Sequence, residues 1–408
     1  MQAFPVRHQS NPRLHRQAPY GARQQAVLNG ERFTHARAEI TTWPGYAPTP
    51  VVSLPGLAAA IGVGELRYKD EGLRFGLKSF KALGGAYAAL VLLAEHLQAQ
   101  GIAQPRSADI MAGLYADQAR TVTLAAATDG NHGRSVAWGA QMFGCRCIIY
   151  LHEHVSQSRE AEIARYGAEI RRIRGGYDNS VHQCASDART HGWQLVADTS
   201  ANGDAKAPAL VMQGYTLLVA EMLAQWAPVI PTHIFVPGAV GGLAAATVGH
   251  LWETMGSDRP RIVVVQPDNA DCISRSLAAG KPTLVPGDVN TFMACLAAAE
   301  VSPAAWDILE EGLDHTITIP DDAARDAMRL LADGVGGDRP LVSGESGCAA
   351  TAGLVAAMYD AEVASALGLG SQSRVAVVGS EGATDADAYR ATVGRTPEAV
   401  IAKGLSHA

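Results

Sequence analysis

Short apolar runs and longer amphipathic stretches alternate along the chain from Thr121 onward. Runs such as TVTLAAA and HIFVP contain β-branched residues and are bounded by turn residues, a pattern typical of buried strands. Because helix-length segments separate these runs, we predict an α/β fold with mostly parallel sheets. The predicted strands cover residues 121–127, 145–151, 169–175, 193–199, 233–237, 261–266 and 374–380. The predicted helices cover residues 131–144, 156–168, 180–192, 209–226, 242–255, 303–312, 321–333 and 346–366.

The loops that follow predicted strands are the candidate ligand sites. Open parallel sheets bind ligands at the carboxyl ends of their strands, where loops lead into helices. The loops after Ala127, Pro237 and Val378 meet this condition. Each of them contains glycine and polar residues, so each is a candidate.

The composition excludes several classes of protein. Of the 408 residues, 48% are hydrophobic and only 18% are charged, which excludes an intrinsically disordered chain. The formal net charge is −7, so the sequence lacks the basic surplus of proteins that bind nucleic acids or membrane surfaces. We therefore expect a small-molecule partner, with no nucleic acid and no membrane.

The cysteine and N-terminal patterns favour a cytoplasmic protein. The 6 cysteines include no CxxC pair, so reduced thiols are expected. The first 23 residues contain no apolar segment followed by a small-residue cleavage site. His152 and His154 flank a strand end without a third ligand nearby in sequence, and no metal site is predicted.

A lysine stands at the predicted start of a long helix. Ser79, Phe80 and Lys81 precede a stretch rich in alanine and leucine. A helix N-terminus carries partial positive charge, which disfavours the protonated form of an amine. Such a lysine suits Schiff-base chemistry. The alternative is a solvated surface lysine, and the pattern alone leaves both interpretations open.

The segment TDGNHG connects a predicted strand to a predicted helix. Its residues run from Thr128 to Gly133. The first turn of a helix exposes backbone N–H groups that hold an anion such as a carboxylate. The alternative is that Asp129 simply caps the helix.

A glycine-rich loop follows the predicted strand that ends at Pro237. The spacing GxxGG lacks the GK[ST] of a P-loop and the GxGxxG of a dinucleotide site, so it indicates either a monophosphate site or a tight turn. Ser380 and Glu381 stand at the end of the last predicted strand, where a loop begins, as the glycine-rich loop does after Pro237.

These segments together resemble a known group of enzymes. The motifs KDEGLRFGLKSFKALGG, TDGNHG, PGAVGG, SGESGCAA and GSEGATD are spread from about residue 50 to residue 390. They resemble the fold type II pyridoxal-phosphate enzymes, the tryptophan synthase β-like group that includes threonine and serine dehydratases. The first motif, together with Asp129 where dehydratases usually carry serine, is most similar to the diaminopropionate ammonia-lyase branch.

The resemblance implies a role for each matching residue. Lys81 would form the Schiff base with pyridoxal 5'-phosphate, and Lys78 would be its neighbour. Asn131 would contact the ring hydroxyl, Ser380 the pyridine nitrogen, and Glu345 would lie near the ring. The phosphate would be held by Gly238, Ala239, Val240, Gly241 and Gly242. The substrate carboxylate would be bound by Thr128, Asp129, Gly130, Asn131 and His132.

The resemblance also implies an architecture. Residues 1–89 and 200–408 would form a large, discontinuous cofactor-binding domain, and residues 90–199 a small α/β domain on the substrate side. The cofactor would lie in the cleft between them. Homodimers are usual in this group, so a homodimer is expected.

The implied activity is an ammonia-lyase reaction. It is the α,β-elimination of 2,3-diaminopropionate, or of a related 3-substituted amino acid, to a 2-oxo acid and ammonia. Lys81 would remove the α-proton of the L isomer and Asp129 that of the D isomer, while Asp198 would receive the β-ammonium. Residues 199–204 depart from the aromatic-containing DTAWEGY type usual in that branch, which leaves the exact substrate open.

Three alternatives remain beside this interpretation. A threonine or serine dehydratase, or a β-replacement enzyme, would use the same cofactor, although Asp129 argues against an ordinary dehydratase. A nucleotide-binding oxidoreductase fits the alternation of elements but lacks GxGxxG. A catalytically inactive relative would be expected to lose Lys81, which is present.

Overall fold

The computed structural model describes residues 2–128, 130–199 and 205–405 and has the predicted α/β fold with mostly parallel sheets. The strands are β1 (Arg7–Ser10), β2 (Val51–Ser53), β3 (Glu65–Asp70), β4 (Thr123–Ala127), β5 (Arg146–His152), β6 (Glu169–Ile173), β7 (Gln194–Leu195), β8 (His233–Pro237), β9 (Arg261–Pro267), β10 (His315–Ile319) and β11 (Arg374–Gly379).

Helices follow most of the strands. The α-helices are α1 (Ala22–Val27), α2 (Gly30–Ile40), α3 (Pro55–Ile61), α4 (Lys81–Ala99), α5 (Ser107–Met111), α6 (Ala116–Ala119), α7 (Asn131–Phe143), α8 (Gln157–Ala164), α9 (Tyr177–His191), α10 (Lys206–Trp226), α11 (Gly242–Met255), α12 (Cys272–Ala279), α13 (Pro303–Gly312), α14 (Asp321–Asp333), α15 (Ala349–Met358), α16 (Ala361–Leu367), α17 (Ala386–Val393) and α18 (Pro397–Leu405). Short 3₁₀ turns cover Glu71–Gly76, Gly256–Asp258 and Ala294–Leu296.

The chain divides into two compact units. The first contains residues 1–29, 48–79 and 218–408, and the second contains residues 30–47 and 80–217. The small domain expected at 90–199 lies inside the second unit, which also takes in 30–47, 80–89 and 200–217. We call these two parts the first unit and the second unit.

The first unit is built on a seven-stranded sheet in the order β1-β10-β9-β8-β11-β3-β2. The five central strands are parallel, and β1 and β2 pair antiparallel at the two edges. Strands β8 and β9 are buried along nearly their whole length, as expected for a sheet covered on both faces. Their carboxyl ends position the glycine-rich loop that follows Pro237.

The second unit has a four-stranded parallel sheet in the order β6-β5-β4-β7. Helix α7 follows β4 and packs closely against α4. A Cβ on Gly139 would lie 2.8 Å from the Cα of Ala86, and a Cβ on Gly85 would lie 2.5 Å from Ser135 Oγ. Small residues therefore allow the two helix backbones to approach, and this packing fixes the start of α4, where Lys81 stands.

Two predicted elements were wrong in extent, and some strands of the structure were not predicted. The strand predicted at 193–199 is reduced to β7, which has two residues. The helix predicted at 346–366 is interrupted at Asp360, whose side chain accepts hydrogen bonds from the N–H groups of Glu362 and Val363 and caps a separate helix. Strands β3 and β10 were not predicted at all.

In the part of the chain that the structure describes, two helices, α4 and α10, are long and apolar enough to cross a membrane by length and composition alone. In α4 and α10 respectively, 67% and 72% of the apolar window is buried inside the protein. Core helices of globular proteins pass the same test, so this is weak evidence for a membrane span.

Candidate active site

The amine of Lys81 forms an ion pair inside the second unit. Lys81 is the first residue of α4, as predicted, and its Nζ donates a hydrogen bond to Asp198 Oδ2 at 2.7 Å. The side chains are only 20% and 15% exposed. The structure therefore brings together two of the residues that the resemblance assigned to catalysis, although 116 residues separate them in the sequence.

Asp198 is held as an anion. Burial alone would raise the pKa of its carboxyl group, but the positive charge of Lys81 outweighs this effect. The nearby His132 and the hydrogen bond from Lys81 act in the same direction, and the pKa lies well below its ordinary value. This carboxylate is therefore ionised over the whole physiological pH range.

Two aromatic rings flank the Lys81 amine. Its Nζ lies 5.6 Å from the ring centre of Phe80 and 5.9 Å from that of Tyr215, close enough for cation–π attraction. The two rings are in contact, with centres 4.6 Å apart. Burial raises the pKa of the Tyr215 hydroxyl, with the charge of Lys81 opposing this effect, so the phenol is neutral. Sequence reasoning missed Tyr215 because it lies in α10, where the apolar pattern indicates only core packing.

His132 is buried beside this pair and has one defined tautomer. Burial lowers the pKa of the ring, and the hydrogen bond of its Nε2 to the carbonyl oxygen of Val196 at 2.8 Å acts against this shift. A carbonyl only accepts, so Nε2 carries the proton and Nδ1 has a lone pair. Within the described part of the chain, the buried Nδ1 has no hydrogen-bond partner. His132, which the resemblance assigned to substrate binding, thus offers a buried acceptor, Nδ1, as well as its backbone N–H.

Thr128 organises the turn before α7. Its hydroxyl oxygen accepts hydrogen bonds from the N–H groups of Gly130 and Gly133, both at 3.0 Å. Two of the N–H groups in this segment are therefore satisfied within the protein, and an anion would use the others. Asp129, the proposed second base, lies outside the described residues.

Asn131 has a fixed amide orientation. Its Oδ1 accepts a hydrogen bond from Arg134 Nη2 at 2.8 Å, and the side chain is buried. Because the oxygen accepts from Arg134, the orientation of the whole amide group is fixed, with its NH₂ on the other side. This arrangement suits the contact with a ring hydroxyl that the resemblance implies.

The glycine-rich loop belongs to the first unit and joins β8 to α11. Its carbonyl groups are turned into the protein, since Ala239 O accepts from Cys272 Sγ and Val240 O accepts from the N–H of Ser302. Gly241 caps α11 with φ +97°, a backbone conformation that favours glycine. The N–H groups at the first turn of α11 lack intrahelical acceptors by position, which makes this loop suitable for a phosphate.

Ser380, Glu381 and Glu345 also belong to the first unit and are buried. Ser380 follows the end of β11 and is only 4% exposed. Buried hydroxyl groups normally have a hydrogen-bond partner, and a ligand atom would be a suitable one. Glu381 accepts a hydrogen bond from the N–H of Ser346 at 3.1 Å and forms a β-bridge with Ser79.

Comparison with known proteins gives consistent results. Residues 42–381 match the family described as pyridoxal-phosphate dependent enzyme. The diaminopropionate ammonia-lyase of Escherichia coli (strain K12) is 37% identical over 363 residues, covering 87% of this chain and 89% of the relative.

Solved structures of the Escherichia coli ammonia-lyase are also similar. A complex with D-serine has a TM-score of 0.86 at 32% identity, covering 96% of this chain and 97% of that one. A complex described as an aminoacrylate-PLP azomethine reaction intermediate has a TM-score of 0.84 at 33% identity, with the same coverage.

Proposed function

Because this chain belongs to the pyridoxal-phosphate-dependent enzyme family, we propose that it eliminates ammonia from 2,3-diaminopropionate or a related 3-substituted amino acid. The products are a 2-oxo acid and ammonia. The observation that carries this proposal is the Lys81–Asp198 pair, which places an amine against a permanently ionised carboxylate. The similarity to diaminopropionate ammonia-lyases over nearly the whole chain supports the same reaction.

The residues present fit the cofactor, which is pyridoxal phosphate. The glycine-rich loop has its carbonyls engaged elsewhere and suits the phosphate. The buried Ser380 hydroxyl suits the ring nitrogen, and the oriented amide of Asn131 suits the ring hydroxyl. When bound, the cofactor ring supplies an electron sink that stabilises negative charge on the substrate α-carbon.

Lys81 would hold the cofactor through its amine, and the same amine would accept the α-proton of the L isomer. The buried rings of Phe80 and Tyr215 cover part of the surroundings of Nζ and reduce its exposure to solvent. The hydroxyl of Ser135 donates to the backbone carbonyl of Lys81 at 2.7 Å, which holds the helix start in place while the side chain moves.

Asp198 holds the β-ammonium group of the substrate. As long as Lys81 is protonated, the carboxylate pairs with its ammonium group. A lysine that acts as a base must be neutral, and Asp198 would then lack the cation with which it pairs. The β-ammonium group of diaminopropionate would supply that positive charge to Asp198, whereas the hydroxyl group of serine or threonine would not. This argument favours the ammonia-lyase over the dehydratase alternative.

Asp129 serves the D isomer from the face opposite Lys81. The support is the sequence motif and the D-serine complex of the Escherichia coli relative. A carboxylate at a helix N-terminus is stabilised in its ionised form, which is the form that accepts a proton.

A spectroscopic experiment tests this function. The purified holoenzyme should absorb near the visible range through its Schiff base, and borohydride should fix the cofactor on a peptide containing Lys81. Lys81→Ala should lose the adduct, whereas the matched control Lys78→Ala should keep it. Turnover of diaminopropionate with little turnover of threonine is the expected profile; the reverse profile would establish a dehydratase instead.

We also propose that the enzyme is a cytoplasmic homodimer. The support for the compartment is that Cys145, Cys147, Cys184, Cys272, Cys295 and Cys348 are all free thiols. The support for the dimer is the resemblance to fold type II enzymes. Light scattering of the holoenzyme should give twice the chain mass of 42.7 kDa; a monomer mass at working concentration would contradict the dimer.

A further inference from the structure

Four neighbouring parallel strands of the first unit begin at basic residues. In the order of the sheet these are His315 of β10, Arg261 of β9, His233 of β8 and Arg374 of β11. Adjacent strands are about 4.8 Å apart, so the row extends over roughly 14 Å. The glycine-rich loop follows the last residue of β8. The basic row therefore lies at the opposite, amino edge of the same sheet.

This row lines a cavity of about 930 Å³. The volume is within the range of small-molecule sites, which is about 300–1,000 Å³. Two further arginines, Arg16 and Arg259, contribute to the same lining, and the acidic residues in it are Asp258 and Asp314. Positive charge therefore exceeds negative charge here, although the whole chain has a net charge of −7.

The arginines are held mainly by backbone carbonyl groups. Arg261 Nη1 donates to Leu367 O at 2.8 Å, and Arg374 Nε donates to Ile230 O at 3.0 Å. Arg259 is 1% exposed and donates to Gly256 O at 2.8 Å. A carbonyl orients a guanidinium group without neutralising its charge, so these side chains are positioned for an anion.

Carboxylates compensate only part of this charge. Arg16 forms an ion pair with Asp314. Across residues 2–128, 130–199 and 205–405, no carboxylate lies within ion-pair distance of Arg259, Arg261 or Arg374. The buried Nε of Arg259 also has no acceptor among these residues. An unpaired buried guanidinium group is costly, and a bound anion would remove that cost.

The two histidines of the row are neutral in the protein alone. Burial, together with the smaller effects of the charges of His8, Arg261, His233 and Arg16, lowers the pKa of His315 to about 4. Burial also lowers the pKa of His233, against the opposing hydrogen bond to Leu367 O, and Arg261 and Arg16 add to the lowering. The cavity therefore has a positive potential that comes from its arginines.

We propose that this cavity is a second ligand site, separate from the catalytic chemistry, which binds a small molecule through a diphosphate group. Phosphoryl oxygens match the fork geometry of guanidinium groups, and several arginines together select a multiply charged anion over a carboxylate. Arg261 and Arg374 are the charged members of the row and begin strands two spacings, or about 10 Å, apart, a separation that two linked phosphoryl groups bridge better than one. The glycine-rich loop, occupied by the cofactor phosphate in the holoenzyme, does not compete for this ligand.

Calorimetric titration of the holoenzyme with inorganic pyrophosphate tests the site. We expect saturable binding of one pyrophosphate per chain, weaker at high salt because the contacts are electrostatic. Arg261→Gln and Arg374→Gln should each weaken binding by about tenfold or more, the effect of losing a charged contact. The matched control is Arg329→Gln, since Arg329 is also anchored by a carbonyl, Thr392 O, but lies outside the cavity.

Each outcome of this titration decides the proposal. The variants Arg261→Gln and Arg374→Gln should keep the basal turnover of the wild type, which shows that they are folded. Selective loss of pyrophosphate binding in these two variants supports the site. Absence of saturable binding, equal binding by all four proteins, or equal affinity for acetate and pyrophosphate would overturn it.

Discussion

The Nζ of Lys81 donates a hydrogen bond to Asp198 Oδ2 at 2.7 Å. Lysine at the start of α4 is recognisable from its motif, but its partner is distant in sequence and follows a very short strand. The pair joins the residue proposed to hold the cofactor to the residue proposed to select the substrate. It therefore gives a direct way to separate cofactor chemistry from substrate recognition.

Asp198→Asn should raise the KM for 2,3-diaminopropionate by about 10- to 100-fold, because a hydrogen bond to a charged group contributes about 1.5–3 kcal/mol. The KM for β-chloroalanine, which has no β-ammonium group, should change little. Steady-state kinetics with both substrates measure the difference. Asp187→Asn is the control, since Asp187 is a carboxylate of the same unit that bonds Tyr150 and Arg171 instead. An equal loss for both substrates would show that Asp198 does not recognise the β-ammonium.

Asp129→Asn should reduce turnover of D-2,3-diaminopropionate by about 10²- to 10⁴-fold, the usual contribution of a positioned general base. The L isomer should be much less affected because Lys81 accepts its proton. Initial rates of ammonia release with each pure isomer provide the measurement. Asp117→Asn, at an exposed helical position, controls for the loss of one charge. If both isomers lose activity equally, the two-base assignment is wrong.

Gly241→Ala should weaken cofactor binding by about tenfold or more. The new Cβ would lie 3.1 Å from Leu309 Cδ1, and alanine at φ +97° is strained by about 1–3 kcal/mol. Fluorescence titration of apoenzyme with pyridoxal phosphate measures the affinity. Gly256→Ala at the other end of α11 is the matched control, because its φ is also positive, +57°, but nothing lies within 4 Å of its Cβ. Cofactor affinities that fall equally in both variants would argue against a phosphate site at the loop.

Glu221→Gln should lower the free energy of unfolding by about 3–5 kcal/mol, since it removes the carboxylate that pairs with buried Lys69 and one of the two carboxylates, with Glu71, that pair with buried Arg74. Glu221 accepts hydrogen bonds from Lys69 Nζ at 2.8 Å and from Arg74 Nη2 at 2.6 Å. Urea unfolding of the two proteins measures the effect. Glu65→Gln, which breaks a partly exposed pair with Arg67, should cost only about 0–1 kcal/mol. Similar small losses in both variants would show that the buried network is not important for stability.

This buried network explains why one strand escaped prediction. Strand β3 has the sequence ELRYKD, which is polar enough to indicate a loop. Lys69 is nevertheless buried, since Glu221 neutralises it from α10, about 150 residues later. A local hydrophobic pattern does not contain that partner. Strand β10, HTITI, was missed for a related reason, because its threonines are buried between strands although they are polar.

The parts of the site that lie within one short segment of the sequence were predictable. The glycine-rich loop, the helix starts at Lys81 and Asn131, and the strand end before Ser380 follow from local patterns and the family resemblance. Contacts made by side chains of other segments were not predictable. Tyr215 beside Lys81 and the Val196 carbonyl that sets the tautomer of His132 depend on tertiary packing.

The antiparallel strands at both ends of the large sheet have a practical consequence. β1 has four residues and β2 has three, and they cover the outer hydrogen-bonding edges of β10 and β3. Trimming the amino terminus past Ser10 would uncover a parallel strand edge, which is a template for pairing between molecules. Variants truncated past Ser10 should therefore aggregate more readily than the full chain.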